Sequence, residues 1–447
     1  MKLIVYQGFC YQWDSSAFLN ETQALYAIKQ LWKLTAGSAN WDAAIAITFK
    51  AIKPMEIEQM LDAPCKTMPW IPLEHFSPLG WRSPLDTHSL PAICYVASTA
   101  IAYEGRTPFP LDLVAATFIQ LTRWEEWSRP DLDQFGCHKE DSSVAARQGF
   151  RDRPVLDEWA LVLRAWLKKE NSSWHELMRP YRVDFSHDID ILRYYKNPLW
   201  IARRCARKFL KEKCGLSSLN VIPEGIAALL NPARDPCVMA FNTLMDFSES
   251  LNTRSTFFFM AAMPGRFDDG YAVDSVLFKS LGDCIRSRGH RIGWHPSFEA
   301  AEHDSIFDEE MARLSQAIDS STFGVRHHFL RWRSGYTWKR LALKGIPFDA
   351  SIGYNYHLGF RASTSQSFEA YDLIADSALD LEIQPLIVMD GPLQRDPISI
   401  KENVALFARR CAAVHGCLTI LVHNYSLMNN QTLLTAIAEG LDTGKGP

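Results

Sequence analysis

Apolar and polar positions fall into two rhythms along the chain. Up to about residue 175, short apolar runs at Leu3 to Tyr6 and Ala43 to Phe49 predict strands, and Glu21 to Leu34 and Leu111 to Trp127 carry apolar residues at helical spacing. A Pro-rich stretch from Pro64 to Pro91 reads as an irregular connection. This is the pattern of an α+β unit.

From Tyr181 the rhythm becomes strand, helix, strand. Strands are predicted at Tyr181 to Ser186, Thr256 to Met260, Arg291 to Trp294, Phe323 to Phe329, Phe348 to Ile352, Ile383 to Met389 and Leu418 to Val422. Helices are predicted between them at Ala240 to Leu251, Val273 to Arg288, Ser305 to Ile318, Tyr336 to Lys344 and Ile400 to Val414. Such alternation implies an α/β fold with a parallel sheet or barrel. The domain organisation expected is therefore 1–175 and 176–447.

Composition narrows the class without naming a chemistry. The chain has 447 residues, 47% apolar and 22% charged, which is the profile of a globular protein with a sizeable core. A net charge of −4 argues against nucleic acid as partner. The 10 cysteines include no C-x-x-C pair, so a zinc ribbon or redox motif is not expected. The N-terminal apolar run is too short for a signal peptide, and Pro91 to Tyr103 is too short to span a bilayer. A cytoplasmic location is the expectation. One segment reads differently: within 199–213, Arg203, Arg204, Arg207, Lys208, Lys211 and Lys213 alternate with Leu199, Ile201, Phe209 and Leu210. That is a solvated helix face or a peripheral contact with an anionic membrane.

Ligand-type residues collect at the ends of the second set of strands. Asp184 to Asp190 reads D-F-S-H-D-I-D, and buried carboxylates this close need a cation or a shared proton. In Gly289 to Glu299, the odd spacing of His290 and His295 sends them to opposite faces, and His295 sits at the strand end. In Gly324 to Trp332, alternation puts Arg326 and His328 on one face and His327 on the other. His357 and Arg361 follow the strand at Phe348, and His423-Asn424 close the last one. Aspartate and neutral imidazole are ligands for zinc or a similar divalent ion, and a catalytic site needs about three of them.

These motifs resemble the polysaccharide deacetylase (NodB-type) superfamily. Its likeness is carried by Ser186 to Asp190, His295 to Phe298, Arg326 to Trp332 and His423-Asn424, and it covers about 181–440. Leu111 to Val114, Leu121 to Trp127 and Arg153 to Glu158 resemble the N-terminal accessory domain of unknown function found in one bacterial subgroup. The resemblance implies a distorted (β/α)7 barrel and a metal-dependent hydrolase of C–N amide bonds, acting as an N-deacetylase on an amino sugar or glycan intermediate. By motif position, Asp188 is the general base, Arg326 orients it and His423 is the general acid. The family's metal-binding carboxylate falls at Ile189 in this chain, so Asp190 takes that role. His295 matches the first metal histidine. The second falls at Glu299, which leaves His328 or Glu299 as third ligand, with His328 preferred. Zinc is the expected metal, with cobalt or manganese as alternatives, and no organic cofactor is implied.

Trp332, His357, Arg361 and Asn424 are candidate substrate contacts. Trp294, Phe298, Trp332, Tyr354, Tyr356 and Phe360 are either core or a sugar-binding platform. Arg123, Glu125 and Glu126 read as ion pairs at a surface or domain interface, and the N-terminal domain as an aid to substrate binding. An allantoinase-like amidohydrolase and a non-catalytic carbohydrate-binding barrel are the alternative functions.

Overall fold

The computed structural model describes residues 2–42, 44–79, 88–94, 109, 111–210 and 219–444. The apolar stretch from Pro91 to Tyr103 and the basic positions Lys211 and Lys213 fall largely or wholly outside these residues. The chain forms two compact units, and it passes between them more than once. Residues 1–183, 329–419 and 440–447 make the first, and residues 184–328 and 420–439 make the second. The boundary read from the sequence, at 175, lies close to the first crossing. The stretch 329–419, assigned by its rhythm to the C-terminal domain, clusters with the N-terminal segment instead.

In the first unit, strands β1 (Lys2–Tyr6) and β2 (Phe9–Trp13) form an antiparallel hairpin, and β3 (Ile47–Lys50) runs parallel to β2. The helix Glu21–Ala36 starts where Asn20 and Gln23 cap one another reciprocally. Within the Pro-rich connection, β4 (Trp70–Pro72) pairs with β5 (Ser89–Pro91). The predicted helix at Leu111 to Trp127 breaks in two, Leu113–Thr122 and Trp124–Ser128, because Arg123 takes a left-handed φ of 54°.

Arg123, Glu125 and Glu126 are 1%, 4% and 7% exposed, which removes the surface alternative of the sequence reading, while the expected ion pair forms between Arg123 and Glu126. Arg123 Nε and Arg361 Nε both donate to Glu126 Oε1, each at 3.0 Å, and Arg361 Nη2 reaches Glu126 Oε2 at 2.7 Å. Asp157 likewise accepts from the Thr364 hydroxyl and from both the backbone and hydroxyl of Ser365. These buried pairs, all inside the first unit, tie residues 329–419 to the N-terminal segment.

The second unit is organised by a parallel sheet. Strand β6 spans Arg182–Ile189, β7 Thr256–Phe259 and β8 Arg291–Trp294. Strands β9 (Phe348–Asp349), β10 (Phe368–Asp372), β11 (Ser377–Ile383) and β12 (Val388–Met389) lie in the first unit, where β10 and β11 form an antiparallel hairpin and β9 pairs parallel to β11. The hairpin was not anticipated, since the sequence suggested only one strand, at Ile383 to Met389. The second unit's sheet has the order β6-β7-β8, with the end of β13 (Cys417–Leu421) beside β6. Among the described residues the strands pair in linear orders, so the architecture established is a mixed α/β fold with a parallel sheet.

All four residues of β7, Thr-Phe-Phe-Phe, are buried, as expected of a strand covered on both faces. Phe241, on the helix Pro236–Ser250, stacks on Phe257 and Phe259 with ring centroids 5.6 and 5.8 Å away. Burying each such ring stabilises by roughly 1.5–3 kcal/mol. On the opposite face a Cβ at Gly293 would meet Phe258 Cδ1 at 2.4 Å, so only glycine lets that ring lie over β8. The segment Pro198–Leu210 is helical, with Leu199, Phe209 and Leu210 exposed. No described helix is long and apolar enough to cross a membrane.

Candidate metal centre

Register places the candidate ligands. Ile189 pairs with Phe259 and Phe259 with Trp294, so β6, β7 and β8 end level with one another. Asp190 and His295 are the next residues after those ends. Strand alternation then sorts the first motif. Ser186, Asp188 and Asp190 share a face, while His187 points to the other, where its ring nitrogens meet the Val422 carbonyl at 2.9 Å and the Ser255 hydroxyl at 3.1 Å.

The predicted strand at Phe323 to Phe329 is reduced to a bridge between Val325 and Trp294. Backbone bonds from Arg326 N to the Trp294 carbonyl and from His328 N to the Pro296 carbonyl keep this segment against β8. Beyond His328 the chain turns sharply, with Phe329 at φ 60° and Leu330 at φ 48°. Non-glycine residues rarely adopt that region, and it cannot continue a strand.

Asp190, His295 and His328 converge, with one ligand atom from each lying within 4.8 Å of the others. Asp190 Oδ1 is 3.2 Å from His295 Nε2 and 3.8 Å from His328 Nε2. Ligands bound tetrahedrally at about 2.1 Å sit roughly 3.4 Å apart, so the spacing suits a single small divalent ion. His295 Nδ1–H donates to the Arg326 carbonyl at 2.6 Å, which turns Nε2 toward Asp190. Asp190 Oδ1 and His295 Nε2 are both buried without a hydrogen-bond partner. Buried polar atoms are seldom left so, and a shared cation would satisfy both. Burial by itself would raise the Asp190 carboxyl, yet His328, His295 and His423 around it hold it well below the ordinary carboxylate range. Burial would lower the His295 imidazole, and Asp188 and Asp190 raise it instead.

Beside this cluster, Asp188 Oδ1 accepts from Arg326 Nη1 at 3.1 Å, and the same nitrogen donates to Ser186 Oγ at 2.7 Å. The Arg326 guanidinium lies 4.6 Å above the Phe258 ring, the ring that Gly293 admits. His423 Nε2 is 3.7 Å from Asp190 Oδ2. The candidate base, its arginine, the candidate acid and the three candidate ligands therefore occupy one unit.

The other sequence candidates have partners of their own. Glu299 is exposed and faces His303 at 3.6 Å, so it does not join the cluster. His290 is buried below the sheet, accepting from Ser255 N and facing Glu249. Asn424 is fully buried and donates to the Ile191 and Cys237 carbonyls. Trp332, His357 and Arg361 belong to the first unit. There Arg361 is committed to Glu126, Trp332 packs on Trp338 with centroids 4.7 Å apart, and His357 Nδ1 meets Glu140 at 2.7 Å. Of the six proposed platform aromatics, five are buried and Tyr356 is exposed.

Two residues went unnoticed in the sequence. Asp268, in the loop after β7, accepts from His328 Nδ1–H at 2.8 Å and from Phe298 N at 3.0 Å through the same oxygen. Tyr271 accepts from Met260 N at 2.7 Å and donates to the Ile189 carbonyl at 2.6 Å, fixing the end of β6 between the two aspartates. The only signal was an acidic pair, Asp268-Asp269, following a strand end.

Residues 33–172 match the model of a family of unknown function, DUF7033. No curated protein matches the chain. Among solved structures it is similar to one named as a polysaccharide deacetylase from Mycobacterium smegmatis, at 15% identity and a TM-score of 0.37, covering 60% of this chain and 85% of that one. Similar too is the polysaccharide deacetylase Bc1974 from Bacillus cereus, at 12% identity and a TM-score of 0.29, with 59% and 88% covered. A third, named as a glycoside hydrolase/deacetylase from Parabacteroides distasonis, stands at 12% and 0.35, with 60% and 67% covered. The geometry of the site, rather than these likenesses, carries the functional reading.

Proposed function

We propose that this protein is a metal-dependent hydrolase of C–N amide bonds on a NodB-type fold, acting as an N-deacetylase on an amino sugar or glycan intermediate. The observation that carries this reading is the convergence of Asp190, His295 and His328, with two of their ligand atoms buried and lacking a hydrogen-bond partner. The donor set of one carboxylate and two imidazoles suits zinc, and cobalt or manganese could also be held. Such an ion, when bound, supplies Lewis-acid polarisation of an acetamido carbonyl and stabilises developing negative charge on its oxygen.

The remaining work falls to this chain's own residues. Asp188 takes the proton of the attacking water. Arg326 keeps that carboxylate aimed, at 3.1 Å. His423, on the far side of Asp190, gives a proton to the departing amine. Asp190 and His328 thus supply what Ile189 and Glu299 cannot, and this favours an active site over a non-catalytic carbohydrate-binding barrel.

The test joins metal analysis of the purified protein to deacetylation of N-acetylglucosamine oligomers. Uptake of zinc, cobalt or manganese is expected, with Asp188→Asn and His423→Ala each lowering turnover by roughly 10²–10⁴-fold. Absence of metal uptake, or full turnover in both variants, would overturn the assignment.

A further inference from the structure

The two imidazoles of the candidate centre are oriented by unlike partners. His295 Nδ1–H donates to a neutral backbone carbonyl, that of Arg326. His328 Nδ1–H donates to the carboxylate of Asp268, which is 5% exposed. A carboxylate behind a metal-binding imidazole fixes its tautomer and ring plane and makes its other nitrogen a stronger donor. Asp268 does more than that, because the same Oδ1 accepts the backbone N–H of Phe298, three residues after His295. One oxygen thereby holds the ring of one candidate ligand and the loop that leaves the other. The loop carrying Asp268 is itself pinned: Gly265 N donates to the Asp268 carbonyl at 2.8 Å. Gly270, at φ 56°, closes so near Pro264 that a Cβ there would meet its nitrogen at 2.4 Å.

Resting on the metal-dependent reading above, we infer that Asp268 is the positioning residue of the centre, setting His328 as an Nε2 ligand and tuning how tightly the ion is held. The position that the family pattern gives to its second histidine is Glu299 in this chain, and Glu299 faces away. His328 reaches the centre from the next segment of chain. Asp268 supplies the hold that a ligand on a sharply turned segment needs, since Phe329 and Leu330 beyond it are both left-handed.

Glu310 provides a control. Its carboxylate accepts from Ser297 N at 3.0 Å, so it anchors the same loop without touching either imidazole. Cobalt affinity of the full chain is measured by competition with a chelator, together with the visible absorption of the bound cobalt and the thermal midpoint of the metal-free protein. Asp268→Ala is expected to weaken cobalt binding 10–100-fold and change the spectrum, the usual effect of losing an outer-shell partner. Asp268→Asn, which keeps an oxygen acceptor but not the charge, is expected to weaken it at least about 3-fold and less than alanine does. Glu310→Ala should lower the thermal midpoint with affinity changed less than about 3-fold, and His328→Ala sets the scale for losing a ligand.

Asp268→Ala binding cobalt as tightly as the parent would overturn the inference and leave the centre standing. If Asp268→Ala fails to fold, parent-like affinity in Asp268→Asn overturns it equally. A loss in Glu310→Ala as large as that in Asp268→Ala would reduce Asp268 to a loop anchor. No metal uptake by the parent would remove both this inference and the functional reading.

Discussion

His295 donates its Nδ1 proton to the carbonyl oxygen of Arg326 across 2.6 Å, and so the arginine that steadies Asp188 also decides which nitrogen His295 offers. One residue thereby serves the candidate base through its side chain and a candidate ligand through its backbone. The two histidines bracketing β8 then differ in kind. His295→Ala should abolish retention of zinc through gel filtration. His290→Ala should keep the metal and lose stability only, because it bonds to Ser255 and Glu249 below the sheet. Elemental analysis of the two variants beside the parent checks this.

Gly293 acts at a distance through Phe258. A methyl group there would sit 2.4 Å from the ring that lies 4.6 Å under Arg326. Gly293→Ala is expected to lower kcat about 10-fold or more by displacing Arg326 from Asp188, with zinc content unchanged. A misplacement of about 1 Å in a catalytic constellation is enough for such an effect. Steady-state kinetics paired with metal content is the measurement.

Glu126 pairs with two buried guanidiniums, those of Arg123 and Arg361. Burial pushes its carboxyl up, but Arg361 and Arg123 overrule that and hold it well below the ordinary range. Glu126→Gln strands both arginines in the interior, and removing one partner of a buried ion pair costs about 3–5 kcal/mol. A correspondingly lower urea midpoint, measured near pH 7, is the expected result.

Glu125 behaves in the opposite sense. Burial raises its carboxyl to about 7, against the opposing pull of Arg123 and the Val144 backbone bond. A raised carboxyl binds its proton more tightly in the folded chain than in the unfolded one. Its contribution to stability is therefore complete below about pH 4.5 and is lost as pH rises through 7, a change on the order of 3 kcal/mol. Glu125→Gln can keep the bond from Val144 N and carries no charge. Relative to the parent it should gain stability between pH 5 and pH 8, which urea midpoints at those two values would show.

Much of the candidate centre was legible in the sequence, for a definite reason. A period of 2 along β6 places Ser186, Asp188 and Asp190 on one face, and nothing tertiary is needed to see it. Arg326 and His328 share a side even though their segment is hardly a strand, because its backbone still follows β8 as far as Pro296. Asp268 was illegible because it touches His328 from 60 residues away, on a loop with no periodicity. The hairpin Phe368–Asp372 and Ser377–Ile383 was missed for a different reason. Its strand Ser-Ala-Leu-Asp-Leu-Glu-Ile is half exposed, and two acids and a serine interrupt its apolar residues, so no continuous apolar run marks it. In the sequence Arg361 is marked only as a candidate substrate contact after the strand at Phe348. Its partner Glu126 lies 235 positions earlier, a distance no local pattern can bridge.

The return of the chain to the first unit at residue 329 has a consequence for the order of synthesis. When residues 1–183 have left the ribosome, Glu126 still lacks Arg361, and Asp157 still lacks Thr364 and Ser365, over 200 positions away. The whole of 184–328 must be made before those partners exist. The N-terminal segment therefore waits, with charges destined for burial exposed to solvent, while the residues of the candidate centre emerge ahead of its completion. A fragment ending near residue 175 should be incompletely folded, and rescued by residues 329–419 supplied in the same molecule.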